Sequence, residues 1–101
     1  MKQYLVCVQQ KWQQESGEYW NLKALIGNSL KARFYNNLEE ALEDLQKIIA
    51  IKNRGERTET QYINGIGIEM VIDAETAKRE AVVDWYIKER EVTPWVEVMR
   101  K

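Results

Sequence analysis

Residues 37–55 read NLEEALEDLQKIIAIKNRG, and this stretch decides the fold. Its apolar residues recur at the i, i+3, i+4, i+7 spacing that places side chains on one face of an α-helix. These residues are Leu38, Ala41, Leu42, Leu45, Ile48 and Ile49. Asn37 is a good N-cap, and Gly55 can adopt the left-handed backbone that ends many helices. The pattern therefore predicts an amphipathic helix over about residues 37–53, which would cover one face of a sheet.

The segments before this helix have the composition of β-strands. Residues 3–12, QYLVCVQQKW, are rich in β-branched and aromatic types, and residues 18–26, EYWNLKALI, alternate apolar with polar side chains. A polar loop ending at Gly17 separates the two segments, so they predict an antiparallel hairpin. Alternation in residues 30–35, LKARFY, predicts a short third strand.

Asn64-Gly65 is the clearest turn signal in the chain. It lies between two runs of β-forming residues, 58–63 and 66–72. Asn-Gly fits a type I′ turn because both central residues of that turn need a positive φ. We predict a hairpin, with Gly67 at a flexible or closely approached point on one face. The alternation places the following residues on the other face: Ile66, Ile68, Met70 and Ile72.

The chain from Asp73 to its end contains one ambiguous segment. Asp73 resembles an N-cap before AETAKREA, a strong helix-forming run. From Ala81 onward the residues also alternate as a strand would, but we favour a second helix over about residues 74–90. Thr93-Pro94 should end it, and residues 95–99 predict a short closing strand.

These elements predict one α+β domain over residues 1–101. We expect a mostly antiparallel sheet of about four to six short strands, with the helix at about 37–53 and the second helix at about 74–90 packed on it. A chain of 101 residues has enough apolar surface for a single core. It is also close to the commonest length of one domain.

Composition limits the classes of function. The net charge is −1 and 31% of the residues are charged, so overall electrostatics favour neither nucleic acid nor a membrane as partner. Cys7 is the only cysteine, and we predict that it is a small core residue in a reducing compartment. The chain contains no apolar run of about 18 residues, the length that a membrane span needs. We therefore expect a cytoplasmic protein that does not enter membranes.

The residue types that carry catalysis are scarce. The chain has no histidine, which removes the commonest general base and the commonest metal ligand. Gly65-Ile66-Gly67 begins like a glycine-rich phosphate loop, but position 70 is Met and no Walker lysine follows. We expect no enzymatic activity, no metal site and no cofactor.

Aromatic residues are the most unusual feature of the composition. Four Trp and five Tyr are a high number for this length, and both types are enriched at binding hot spots. Our hypothesis is a non-enzymatic module, such as an inhibitor, adaptor or regulatory subunit, that binds another protein. The aromatic candidates for this surface are Trp12, Trp20, Tyr35 and Trp95. A second candidate surface is the acidic row Glu39, Glu40, Glu43 and Asp44.

The sequence leaves two alternatives to this protein-binding hypothesis open. Bases interleaved with aromatics could hold phosphates and stack on nucleobases, and this nucleic-acid hypothesis uses Lys11, Lys23, Lys31 and Arg33. The predicted closing strand at 95–99 could instead pair with its copy in a homodimer.

Overall fold

The computed structural model of the chain describes residues 1–27, 33–91 and 94–101. Its elements, in chain order, are β1 (Gln3–Gln10), a 3-10 turn (Lys11–Gln13), β2 (Trp20–Asn21), α1 (Leu22–Leu25), α2 (Leu38–Lys52), β3 (Arg57–Ile63), β4 (Ile66–Ile72), α3 (Ala74–Glu80), β5 (Val82–Arg90) and β6 (Val96–Arg100). Within these ranges the strands form two antiparallel sheets, one of four strands and one of two. The predicted α+β fold class is confirmed.

β1 is the strand around which the larger sheet is built. The order of that sheet is β2-β1-β5-β6. β1 pairs with β5 from Gln3↔Arg90 to Gln10↔Val82, and its other edge pairs with β2. Beyond β2 on the same edge, Tyr4 and Tyr35 exchange two backbone bonds of 2.7 Å. β1 is therefore enclosed on both edges.

α2 covers one face of this sheet, as the sequence predicts. The Asn37 side chain accepts a hydrogen bond from the backbone N–H of Glu39 at 2.8 Å, and Glu43 pairs with Lys47 at 3.2 Å. The buried core cluster joins the helix to both central strands: Val6, Val8, Leu22, Tyr35, Ala41, Leu45, Ile48, Val82 and Ile87. Apolar residues at helical spacing and residues of alternate strand positions thus meet in one core.

The end of α2 is also tied to the start of β5. The Asn53 side chain donates to the carbonyl of Val82 at 3.2 Å and accepts from the Val82 N–H at 2.7 Å. The Asn53 side-chain amide thus supplies Val82 with the donor and the acceptor that the backbone of a neighbouring strand would otherwise provide. Gly55, two residues later, has the left-handed φ of +86° that the sequence analysis anticipated.

The predicted hairpin is confirmed, and it stands apart as its own two-stranded sheet. Asn64 and Gly65 have φ values of 53° and 79°, as a type I′ turn requires. The pairing runs without a break from Ile63↔Ile66 to Arg57↔Ile72. We call this hairpin, residues 57–72, the arm.

Gly67, within the arm, is closely approached, which is one of the two alternatives predicted for it. A Cβ at this position would lie 3.3 Å from the Tyr62 ring and 3.3 Å from the Thr60 methyl group. The cross-strand Tyr62 side chain therefore occupies the space that a side chain at Gly67 would take.

Arg57 fixes the base of the arm to the body. Its side chain is almost fully buried and donates to Glu59 at 2.6 Å, to Glu80 at 2.9 Å and to the carbonyl of Gly55 at 3.1 Å. Lys52 of α2 lies 3.8 Å from Glu59 and 4.0 Å from Glu80. A buried guanidinium with three partners joins β3, α3 and the end of α2.

The predicted strand over residues 18–26 is wrong except at Trp20 and Asn21. Only Trp20–Asn21 is a strand, and Leu22–Leu25 is a short helix. The reason is local capping, because the Asn21 side chain accepts from the N–H of Lys23 at 3.0 Å. Leu22, Leu25 and Ile26 also fit helical spacing, and they pack into the core from a helix.

The second helix is shorter than predicted, since it ends at Glu80 and not near residue 90. Residues 82–90 form β5, which matches the strand alternation that begins at Ala81. Tertiary pairing decides this outcome, because β1 offers a full antiparallel edge to these residues. A bulge leaves Val83 without a partner on β1, between Val82 and Asp84. Val82, Trp85 and Ile87 therefore face the core, whereas an unbroken alternation would place Val83 there instead of Val82.

The remaining predictions concern the ends of strands. β1 stops at Gln10, two residues before the predicted end, and the closing strand is Val96–Arg100. Of the predicted strand at 30–35, residues 30–32 lie outside the described residues, as does Thr93 of the predicted break. No helix in the described part of the chain is long and apolar enough to cross a membrane.

The Arg57 contacts predict an acid-sensitive arm base. Partial burial opposes ionisation of Glu59, but the hydrogen bond from Arg57 and the charge of Lys52 outweigh it, so the pKa of Glu59 lies below its usual 4.5. The stabilisation from Glu59 is therefore present above pH 4.5 and is lost as pH falls through the lower folded value. Urea unfolding at pH 7, 5 and 3 should show a smaller acid loss of stability in Glu59→Gln than in the wild type. Glu56→Gln, an exposed neighbour, should keep the wild-type profile; equal profiles for both variants would contradict this role.

Candidate interaction surface

Trp12 and Trp20 form an exposed aromatic pair at the β2 edge of the larger sheet. Their side chains are 44% and 40% exposed. The ring centroids lie 6.1 Å apart at an interplanar angle of 62°, an edge-to-face arrangement. The 3-10 turn after β1 positions Trp12, and the pairing of Trp20 with Val8 positions the other ring. We call Trp12 and Trp20 the indole pair.

Gln10 holds both indoles from beneath. Its side-chain oxygen accepts from Nε1 of Trp12 at 3.0 Å and from Nε1 of Trp20 at 3.1 Å. Its side-chain nitrogen donates to the carbonyl of Glu80 at 2.9 Å, and its backbone N–H donates to Gln13 at 3.0 Å. Because Gln10 is buried and each of its polar atoms has a partner, the amide can take only one orientation. The two rings are therefore fixed with respect to each other.

Sequence reasoning missed Gln10, although the sequence contains a signal for it. Tyr4, Val6 and Val8 alternate on the face of β1 that packs against α2, and position 10 continues the same alternation. A polar residue at the next position of an apolar face is buried if its partners are nearby. Tryptophan Nε1–H groups are donors that need such a partner when they pack at the margin of a core.

Trp95 lies at the opposite end of the sheet from the indole pair. The Arg90 guanidinium is 4.2 Å from the centre of the Trp95 ring and 5.2 Å from that of Phe34, and it also donates to Gln3 at 2.9 Å. Gln3 and Arg90 form the first pair of the β1–β5 ladder, whereas Gln10 belongs to the last. The structure thus separates Trp95, a cation–π partner of Arg90, from Trp12 and Trp20.

Tyr35 and the acidic row occupy a third position. Tyr35 is 3% exposed and its hydroxyl donates to Asp44 at 2.8 Å, so its ring has almost no free surface. Burial, then the bond to Asp44, raises the pKa of Tyr35. Asp44 serves this internal bond and Glu43 pairs with Lys47, while Glu39 and Glu40 are exposed in the first turn of α2. Three carboxylates of the predicted row, those of Glu39, Glu40 and Glu43, are therefore exposed, and Asp44 is half-buried.

The basic residues of the nucleic-acid hypothesis are only partly brought together. Lys11 is exposed and adjoins Trp12 in the chain. Lys23 lies with its Nζ 4.5 Å from the centre of the Tyr35 ring. Arg33 is exposed and its carbonyl accepts from the Asn21 side chain at 2.8 Å, which places it next to β2. Lys31 lies outside the described residues.

The sheet face opposite α2 carries a network of aromatic and charged side chains. Arg100 lies 3.8 Å from Asp84 and 5.2 Å from the centre of the Tyr86 ring, and the Tyr19 hydroxyl donates to Asp84. Tyr86 stands opposite Cys7, and burial followed by contact with that thiol raises the pKa of Tyr86 to about 12.

Cys7 is a buried core residue, as predicted, and burial raises the pKa of its thiol. A raised pKa keeps the thiol protonated and therefore weakly nucleophilic. Within residues 1–27, 33–91 and 94–101, no three Cys, Asp or Glu side chains converge as metal ligands would. The groups on this face thus bind mainly one another.

Comparison of the chain with protein-family models, with curated proteins and with solved structures found no match. The choice among candidate surfaces therefore depends on geometry. The indole pair combines two exposed aromatic rings with a fixed orientation. Of the other aromatic candidates, Tyr35 is buried and Trp95 stacks on Arg90.

The Gln10 contacts predict a specific signature in solution. Gln10→Leu removes the acceptor of both indole N–H groups, so two of the four tryptophan side-chain signals in a ¹H–¹⁵N spectrum should move or broaden. The free energy of unfolding should fall by about 1–3 kcal/mol, the usual result of leaving buried polar groups unpaired. Gln46→Leu, on the exposed side of α2, should change neither quantity. Unmoved indole signals in Gln10→Leu would show that Gln10 does not hold the rings.

Proposed function

We propose that this chain is a small non-enzymatic module that binds another protein, as an inhibitor, adaptor or regulatory subunit, and that the indole pair is its anchor. The observation that carries the proposal is the fixation of two exposed indoles by a single buried amide oxygen. Tryptophan is the residue type most enriched among energetic hot spots of protein interfaces.

The fixed rings lower the cost of binding. Ordering a free side chain at an interface costs about 0.5–1.5 kcal/mol, and the Gln10 bonds have already ordered Trp12 and Trp20. Because both indole N–H groups are bonded internally, the rings offer apolar faces without an unpaired donor. This chemistry fits an apolar cleft on a folded partner.

Charged side chains outside the anchor would mainly orient the partner. Lys11 and Arg33 lie at the same edge as the indole pair, while Glu39 and Glu40 are exposed at the start of α2. Such rim charges affect association rate and specificity more than affinity. The free thiol of Cys7 fits a reducing compartment, which supports the proposal that the protein acts in the cytoplasm.

The test compares proteins captured from the native host by tagged wild type and by single variants. Trp12→Ala and Trp20→Ala should each reduce capture of a specific partner about tenfold or more, the loss expected when a hot-spot residue is truncated. Ile51→Ala is the matched control, because Ile51 is an apolar residue of α2 with a similar exposed fraction, 42%. It should leave capture unchanged.

Thermal unfolding of each variant separates loss of binding from loss of fold. Both tryptophan variants should unfold cooperatively and keep the far-ultraviolet circular dichroism of the wild type. If both variants fail to fold, the rings are core residues and the proposal loses its support. Equal capture by all four proteins, or no specific capture by the wild type, would also reject it.

Lys11 adjoins Trp12 in the chain, and the backbone of Arg33 lies next to β2. This placement favours one alternative, in which the rings stack on unpaired bases of a nucleic acid. Phosphate contacts would give an affinity for a fluorescent single-stranded oligonucleotide that falls steeply with salt, and Lys11→Ala should reduce that slope by about one unit. Glu15→Ala, an exposed change of an acidic residue, serves as the control. The absence of binding at low salt would remove this alternative.

A further inference from the structure

The arm projects from the body and presents apolar side chains to solvent. Its buried residues, Arg57 and Ile72, lie at its base. The radius of gyration of the protein is 14.7 Å, compared with about 13 Å for a compact domain of this length. Toward the tip, one face exposes Ile63, Ile66, Ile68 and Met70 by 43–67%. An exposed apolar cluster on a projecting element is typical of an interaction site.

A hairpin of two strands is only marginally stable by itself, and a third or fourth strand normally supports it. Strand addition is therefore the natural way for the arm to be completed. The backbone groups on the outer edges of β3 and β4 make no ladder with another strand among the described residues. Each strand has seven residues and an unbroken register, and neither contains Lys or Pro.

The edge strands of the larger sheet, in contrast, carry features that oppose pairing with another strand. β6 carries a bulge at Val98, since Met99 pairs with Ile87 and Glu97 pairs with Lys88. Its Glu97 and Arg100 form an ion pair on this edge strand, and β2 at the other edge has only two residues. Bulges, charges and short strands are the devices that prevent pairing at an edge. The bulge weighs against the homodimer through residues 95–99, which the sequence left open as an alternative, and the arm has no bulge.

The register of the arm shows which backbone groups are free. In a hairpin closed by a two-residue turn, the Ile63 carbonyl accepts from the Ile66 N–H, and inward-facing pairs then alternate with outward-facing pairs. The outward-facing residues are Thr58, Thr60 and Tyr62 on β3, and Gly67, Glu69 and Val71 on β4. Each edge thus offers three N–H and three C=O groups.

Charge decides between the two edges when the added strand comes from a second copy. Two antiparallel β4 strands with full overlap would place Glu69 opposite its own copy, and like charges directly opposite are destabilising. Two β3 strands centred on Thr60 would place Thr60 opposite Thr60, Thr58 opposite Tyr62 and Glu59 opposite Gln61. These cross-strand pairs contain no like charges and include favourable hydroxyl and aromatic contacts.

We propose that a second copy of this chain adds its β3 antiparallel to β3, around a two-fold axis at Thr60. The result is a four-stranded sheet of order β4-β3-β3-β4. Because the axis is normal to the sheet, the apolar face of both arms lies on one side and forms a continuous surface. Pairing of β3 with β4 of another copy is a head-to-tail contact, which gives either a ring of several chains or an open filament, whereas this symmetric arrangement stops at two chains.

The test uses the same substitution on the two edges of the arm. Thr60 and Glu69 are opposite each other in the hairpin, and both direct their N–H outward. Proline at either position leaves the internal bonds of the hairpin intact but removes an outward donor. Sedimentation velocity at low and high protein concentration should show a wild-type dimer. Thr60→Pro should raise its dissociation constant about tenfold or more, and Glu69→Pro should behave as the wild type.

Cysteine substitution gives an independent readout if proline disturbs the fold. In the proposed dimer the two Thr60 Cα atoms are about 5.5 Å apart, within the range of a disulfide. Thr60→Cys should form a covalent dimer with oxidised glutathione, and Glu69→Cys should not.

Three outcomes would overturn the proposal: a wild-type monomer at all concentrations, equal effects of Thr60→Pro and Glu69→Pro, or equal cross-linking of the two cysteine variants. The dimer does not depend on the function proposed for the indole pair. Thr60→Pro that still captures the partner would separate the two results, as would Trp12→Ala that still dimerises.

Discussion

One helix has to cover a sheet that is wider than itself, and most of the structure follows from this constraint. α2 has 15 residues and is about 10 Å wide, whereas four strands spaced about 4.8 Å apart form a sheet almost twice as wide. The helix therefore covers the central strands, where Val6, Val8 and Ile87 are fully buried. The margins need other cover, and large side chains supply it. Trp12 and Trp20 lie over the margin at β2.

A margin covered by tryptophan also explains the buried glutamines. An indole at the edge of a core brings an N–H donor to a place where water is partly excluded, and an unpaired donor there costs about 1–3 kcal/mol. Gln10 removes this cost for two indoles at once, and Gln13 in turn accepts from the Gln10 backbone. The polar network thus stabilises the margin and, as a consequence, holds two ring faces toward solvent in one arrangement.

Features set by local sequence were predictable, and features set by distant contacts were not. α2 and the Asn64-Gly65 turn follow from spacing and from positive φ, which neighbouring residues alone determine. The segment from residue 82 to 90 fits two patterns, and only its pairing with β1, more than 70 residues away, makes it a strand. Asn21 capped α1 where alternation predicted a strand. The sequence indicated that tryptophans form the candidate site. It did not indicate that Trp12 and Trp20 pair or that Gln10 holds them, because β1, β2 and α3, which are distant in the chain, together form the site.

Glu80 connects the two surfaces on which the proposals rest. Its carbonyl accepts from the Gln10 side chain beneath the indole pair, and its carboxylate accepts from Arg57 at the base of the arm. Both donors are buried, so Glu80 links the base of the arm to the support of the indole pair. A dimer formed through β3 would hold two indole pairs at a spacing set by these links. A partner with two matching clefts at that spacing would bind the second cleft intramolecularly, and its avidity would exceed the affinity of one cleft without any new contact.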